Sequence, residues 1–168
     1  MKFLDSILGR TKPKAANLDA LFAVPGAAVT LEAGMGLATA GAAAVCFKPG
    51  SGYDFAATQQ EIGELLELSK QDTGSEISQS QDSYGYHWIV VRDPDVSDLV
   101  TTVHMVNASL ADRGYSHQLL ASVFAFRSGE GGTAYLVYLF KRGTFYPFVP
   151  APGGGEKRDN QRELQVQA

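Results

Sequence analysis

Three histidines, His87, His104 and His117, one cysteine, Cys46, and an aspartate group, Asp93, Asp95 and Asp98, are the residues of this chain best equipped for acid–base, nucleophilic or metal chemistry. Their spacing serves none of it. A zinc site needs histidines one helical turn apart or clustered Cys/His ligands, whereas these histidines fall on a strand, on a helix and just before a strand, where structural or surface roles account for them. Cys46 lies in AAAVCF, an apolar run. A nucleophilic thiol needs a base and an electropositive setting, so a buried strand thiol is expected instead. The three aspartates open a helix, and capping together with the helix dipole explains them without a metal. Asp82 and Ser83 precede YGY as a turn signal, and no GxSxG elbow is present. Gly34, Gly36 and Gly41 match neither GxGxxG nor a Walker loop, and no Lys-Ser/Thr follows them. No catalytic residue, cofactor site or metal ligand is assigned, and the chain is expected not to be an enzyme. A pocket gathering two of His87, His104, His117, Asp82 and Cys46 would reopen that question.

Composition narrows the class. The 168 residues suit one domain with a core of its own. Only 19% are charged against 45% hydrophobic, which leaves room for an apolar surface patch. The net charge of -4 argues against nucleic acid as a partner, since that needs a basic face. A lone cysteine forms no internal disulfide, and a reducing, cytoplasmic compartment is the simplest reading. No segment is expected to cross a bilayer. Residues 1–10 lack the form of a signal peptide, because Asp5 interrupts the apolar part and no cleavage site follows.

The elements that would hold a binding surface can be read in order. Residues 1–16 form an amphipathic N-terminal segment. Phe3, Leu4, Ile7 and Leu8 share one helical face over residues 2–10, and Lys2, Arg10, Lys12 and Lys14 make this end cationic while the rest of the chain is acidic. A single domain spans residues 17–150. Asn17 caps a short helix over residues 18–23, stopped by Pro25 and Gly26, and residues 28–33 are extended. GMGLATAGAAA reads as a flexible connection into a strand at 43–47. A helix follows over 54–70, with Asp54 as cap and Phe55, Ile62, Leu65 and Leu66 inward. An edge strand is expected at 76–81 and a stronger one at 84–92. Asp93 or Asp95 caps the clearest helix, whose stripe is Val96, Leu99, Val100, Val103, Val106 and Leu110, closed by Arg113 and Gly114. Strands at 119–127 and 134–145 form a hairpin around SGEGG. Residues 151–168 make a Gly/Pro-rich linker and a short helix opened by Asp159 or Asn160, which ends without a C-cap and looks unfinished. The fold class is α+β: about five antiparallel or mixed strands with two main helices on one face. The element order is similar to secretion-chaperone folds by analogy alone.

The hairpin carries apolar residues on both sides. Tyr135, Val137 and Leu139 fall on one face and Leu136, Tyr138 and Phe140 on the other. Leu119, Ala121 and Val123 likewise stand against Leu120 and Phe124. A sheet with a solvated face alternates apolar with polar, so the second face needs a cover. The short helices at 2–10 and 18–23, the tail, or a second copy in a homodimer could supply it. A second group, Lys141, Arg142, Phe145, Tyr146, Phe148 and Arg158, joined by Lys157 and Arg162, combines cations with aromatics and is a candidate docking site for an acidic partner or an anionic lipid.

Six pieces of the chain carry a family likeness: LDSILGRTKP, LDALFAVPGAAVTLEA, VCFKP, DSYGYHWIVVRDPD, LVYLFKRGTFYPFVP and RDNQRELQV. With these the chain resembles the PspA-associated PspAB family over nearly its whole length. The resemblance implies association with PspA, a peripheral membrane protein of the envelope-stress response, and implies no catalytic residue. Family members run on past the RDN helix. The expectation is thus a non-enzymatic accessory protein, cytoplasmic and peripheral at the inner face of the membrane. It would bind a PspA-like protein or a membrane surface through Lys2, Phe3, Leu4, Ile7, Leu8, Arg10, Lys12 and Lys14. The alternative is a chaperone-like homodimer that holds a partner segment on its apolar sheet face.

Overall fold

The computed structural model describes residues 17–153, 155 and 157–167. The chain folds as α+β, with four α-helices among the described residues and a six-stranded antiparallel sheet ordered β2-β3-β1-β4-β5-β6. The strands are β1 Leu37–Phe47, β2 Glu76–Gln81, β3 His87–Arg92, β4 Leu119–Ser128, β5 Thr133–Leu139 and β6 Thr144–Phe148. The helices are α1 Val24–Met35, α2 Tyr53–Thr73, α3 Val96–Asp112 and α4 Asn160–Gln167, with a 3-10 turn, Leu18–Ala23, leading into α1.

α3 forms for the reasons its sequence predicts. Asp95 accepts a hydrogen bond from the Ser97 amide as N-cap, and Leu99, Val100, Val103, Val106 and Leu110 are buried against the sheet. α2 runs to Thr73 and stops at Gly74, whose φ of 74° supplies the left-handed cap. Its buried face is Phe55, Thr58, Ile62 and Leu66. Leu65, expected inward, is 38% exposed because Ile62 and Leu66 already fill the stripe.

Three expectations are corrected. Pro25 does not stop the short helix. It occupies the first turn of α1, where no backbone N–H is needed, and residues 28–33 are helical. Leu18–Met35 is therefore one continuous helical stretch, long and apolar enough by length and composition to cross a membrane, contrary to expectation. Leu21, Val24, Ala28 and Leu31 on it are buried in the core. The Ala/Gly run is not a flexible connection. It is most of β1, an 11-residue strand paired on both sides, with β3 and β4. A bulge between Thr39 and Ala43 takes up its irregularity, and Gly41 sits there at a φ of 67° with its carbonyl accepting the Asp93 amide. Lastly, residues 134–145 are not one strand. The chain turns over Phe140–Gly143, with Gly143 at a φ of 68° and its amide donating to the Leu139 carbonyl, so a sixth strand appears.

The helices cover one face of the sheet. Alternate residues Ala43, Val45, Phe47, Ile89, Val91, Phe124, Phe126 and Tyr138 join the helix stripes in one core. Within it Asn107 of α3 donates to Ser122 of β4 across 2.9 Å. The irregularity between Cys46 and Phe47 turns Leu119 into this core, away from the face shared by Ala121 and Val123.

Candidate interaction surface

The other face is built from the residues between those core positions. The register places Trp88, Val90 and Arg92 of β3 beside Cys46, Ala44 and Ala42 of β1. Ala44 and Cys46 pair in turn with Val123 and Ala121 of β4. Val123 and Ala125 stand opposite Val137 and Tyr135 of β5, which meet Tyr146 and Phe148 of β6. Among the described residues no helix lies on this face. The turn Leu18–Ala23, expected as a cover, packs on the helix side: it rests on α3, and the Tyr138 hydroxyl donates to the Asn17 carbonyl at 2.7 Å. α4 packs against β6 and sends Val166 toward the core.

The centre of the face is shallow because its side chains are small. Ala40, Ala42, Ala44 and Ala125 floor a depression of about 320 Å³, with Val90 and Tyr135 at its sides. Arg92 and Arg127 line the same depression at one end. Both are exposed, and neither side chain makes a hydrogen bond or ion pair among the described residues. At the opposite end Asp82 accepts from the Trp88 indole N–H at 2.9 Å and from the amides of Tyr84 and Tyr86. The Trp88 bond, with those turn amides, holds the Asp82 carboxyl below its ordinary value. Burial and then the Asp82 charge push the Cys46 thiol up to about 11, so it stays protonated and inert.

The family comparison bears on what such a face is for. The model of PspA associated protein B, PspAB, matches residues 1–168. The chain belongs to the PspAB family. No curated protein and no solved structure matches it. The family name places this chain in association with PspA, consistent with an accessory role.

The sequence-predicted docking group is divided in this PspAB-family fold. Tyr146 and Phe148 lie on the open face, whereas Phe145 packs at a tilt against Tyr138 on the core side, with ring centroids 4.8 Å apart. Lys141 and Arg142 are exposed in the β5–β6 turn. Arg158 is committed: it donates to both carboxylate oxygens of Glu163 at 2.9 and 3.0 Å and lies over the Phe148 ring at 5.1 Å. That ion pair raises Arg158 and lowers Glu163 from their ordinary values. The N-terminal group, Lys2 to Lys14, lies outside the described residues. The other potential chemistry is dispersed. His87 bonds Gln59, His104 stands 3.5 Å from Asp19, and His117 sits in the 3-10 turn Ser116–Gln118. Among the described residues no three His, Cys, Asp or Glu side chains could hold a metal ion. Sequence reasoning missed Trp88, Val90, Arg92, Arg127 and the alanine floor. The available signal was the alternation of YGYHWIVVR, which puts Trp88, Val90 and Arg92 on one side.

Proposed function

We propose that this chain is a non-enzymatic accessory protein of a PspA-type membrane-stress system, acting in the cytoplasm by binding a protein or a membrane surface. The observation that carries it is the apolar sheet face that no helix covers among the described residues, in a chain whose family is named for association with PspA. Large apolar surfaces left open mark protein or membrane interaction sites. The amphipathic residues Phe3, Leu4, Ile7 and Leu8, with Lys2, Arg10, Lys12 and Lys14, add a weak attraction for anionic lipid, and a second contact supplies the avidity. Lys141 and Arg142 would strengthen docking at the β5–β6 turn.

The test is capture of PspA from host extract by the full chain and by a form lacking residues 1–14, beside co-sedimentation of both with anionic liposomes. Capture that persists without residues 1–14 assigns PspA to the folded domain. Equal liposome binding by both forms shows that residues 1–14 do not bind the lipid, and no capture by either form overturns the accessory reading. The open face also favours a second reading, a chaperone-like homodimer that holds a partner segment on that face, which light scattering separates from a monomer.

A further inference from the structure

We infer that the open face is a groove for one amphipathic α-helix of another protein, apolar toward the sheet and bearing carboxylates at the end that meets Arg92 and Arg127. This rests on the binding reading of the face proposed above. Width comes first. The small floor belongs to β1 and β4, while the large side chains Trp88 and Tyr135 stand on β3 and β5. Those two outer strands are three strand spacings apart, about 14 Å, and a helix with its side chains is about 10–12 Å across. Ala40 to Cys46 runs about 20 Å along the strand, the length of about 13 residues of helix.

Charge decides what kind of helix. Arg92 and Arg127 lie together at one end, exposed and unpaired among the described residues. Glu76, opposite Arg92 on β2, and Glu130, in the turn after β4, form no ion pair with them. Asp82, at the far end, is engaged by Trp88 and two turn amides. The face therefore carries two guanidinium groups at one end that no carboxylate engages in an ion pair, with Glu76 offsetting only part of their charge, in a chain whose net charge is -4. That charge disfavours the chain's own first residues as occupant, since Lys2, Arg10, Lys12 and Lys14 outnumber Asp5 there. A second copy fits poorly for a different reason. A two-fold interface must be complementary to itself, and about the groove it would set two depressions of about 320 Å³ against each other, unfilled.

Trp88 is the chain's only tryptophan and lies on the open face beside Cys46, two residues along β3 from Val90 at the side of the depression, so its fluorescence reports a helix that runs past the alanine floor toward Cys46. The full chain is titrated with three synthetic 16-residue helical peptides, each with leucine on one face and Glu, Gln or Lys on the other. The expected result is a blue shift of Trp88, with the Glu peptide binding about three- to tenfold more tightly than the Gln peptide at low salt, two exposed charge pairs' worth. The double substitution Arg92→Glu with Arg127→Glu transfers the preference to the Lys peptide. Should that variant not fold, Arg92→Gln and Arg127→Gln singly each remove part of the Glu preference. Equal affinity for all three peptides, or no response of Trp88, overturns the inference. So does a concentration-dependent dimer that shields Trp88, or an Ile7→Asp variant that opens Trp88 to acrylamide. PspA captured with Trp88 unperturbed would leave the accessory reading standing and sink the groove alone.

Discussion

Asn107 offers the sharpest test of how α3 is held on the sheet. Its side chain is fully buried. Its Nδ2 donates to the Val103 carbonyl and to Ser122 Oγ, each at 2.9 Å, while its Oδ1 has no partner among the described residues. An orphaned buried acceptor costs about 1–3 kcal/mol. Ser122→Ala strips one bond from Nδ2 and should cost about 1–3 kcal/mol for the donor left unmet. Asn107→Leu keeps the heavy-atom outline and removes the orphan, but strands the Ser122 hydroxyl, so the two effects roughly cancel. The double variant leaves no buried polar atom unpaired, and the Val103 carbonyl keeps its helical bond. It should therefore be about 1 kcal/mol more stable than the wild type, a rise of about 2–4 °C in Tm for a chain of this size. Urea unfolding followed by circular dichroism measures all four corners of the cycle, and the coupling between the sites should be about 2–4 kcal/mol. A double variant no more stable than Ser122→Ala alone would refute the reasoning, because the penalties would then simply add.

Further expectations concern the bulge and the two pinned carboxylates. Gly41→Ala forces a side chain into the left-handed region, about 1–2 kcal/mol, and sets its Cβ 3.1 Å from the Asp93 carbonyl; the urea midpoint should fall, and an unchanged midpoint would mean that the bulge can relax. Asp82 is held below its ordinary value of 3.8 by the Trp88 N–H, so its contribution is present above that value and lost only as pH falls through the lower folded value. Trp88 emission should stay constant through the pH at which a free aspartate titrates and change only below it, and Asp82→Asn should abolish that acid limb. Glu163 accepts from the Val149 amide at 2.9 Å as well as from Arg158. Glu163→Gln should speed hydrogen exchange at Val149 and in α4, and acid should do the same once pH drops below 4.5 and through the lowered value of Glu163.

The parts of the fold that were legible are those in which one signal dominates. α3 shows a 3.6-residue stripe with an aspartate cap, and β3 is aromatic and β-branched. The rest was hidden where one residue type serves two purposes. Pro25 stops a helix or begins one, and only the core contacts of Leu21 and Val24 make the chain continue. Lys141-Arg142-Gly143 is a turn with strongly apolar flanks, so the flanks read as a single strand. The face was visible as an excess of apolar residues in the hairpin, yet its floor was invisible, because alanine and glycine in a row say loop by local propensity. β1 is a strand through tertiary context: two neighbours bond it along both edges.

That same strand ties the fold to the surface. Alanine is a poor strand residue, and a central strand is where bulky β-branched side chains contribute most. On the core side β1 behaves accordingly, with Val45 and Phe47 fully buried. On the open side it carries Ala42 and Ala44 between the larger Val90 and Val123. Filling those positions would give a flat apolar sheet, a shape that stacks on copies of itself. Leaving them small gives a trough, which a convex element fills and a second trough does not. Ala44→Leu should then leave the fold intact, since its side chain meets open space rather than the core, while blocking the groove. The core-side change Val45→Ala should do the reverse, costing about 1–3 kcal/mol of stability with the Trp88 response to the acidic peptide retained. If both substitutions lower stability and neither alters binding, the alanines are packing residues, and the trough is an accident of the strand.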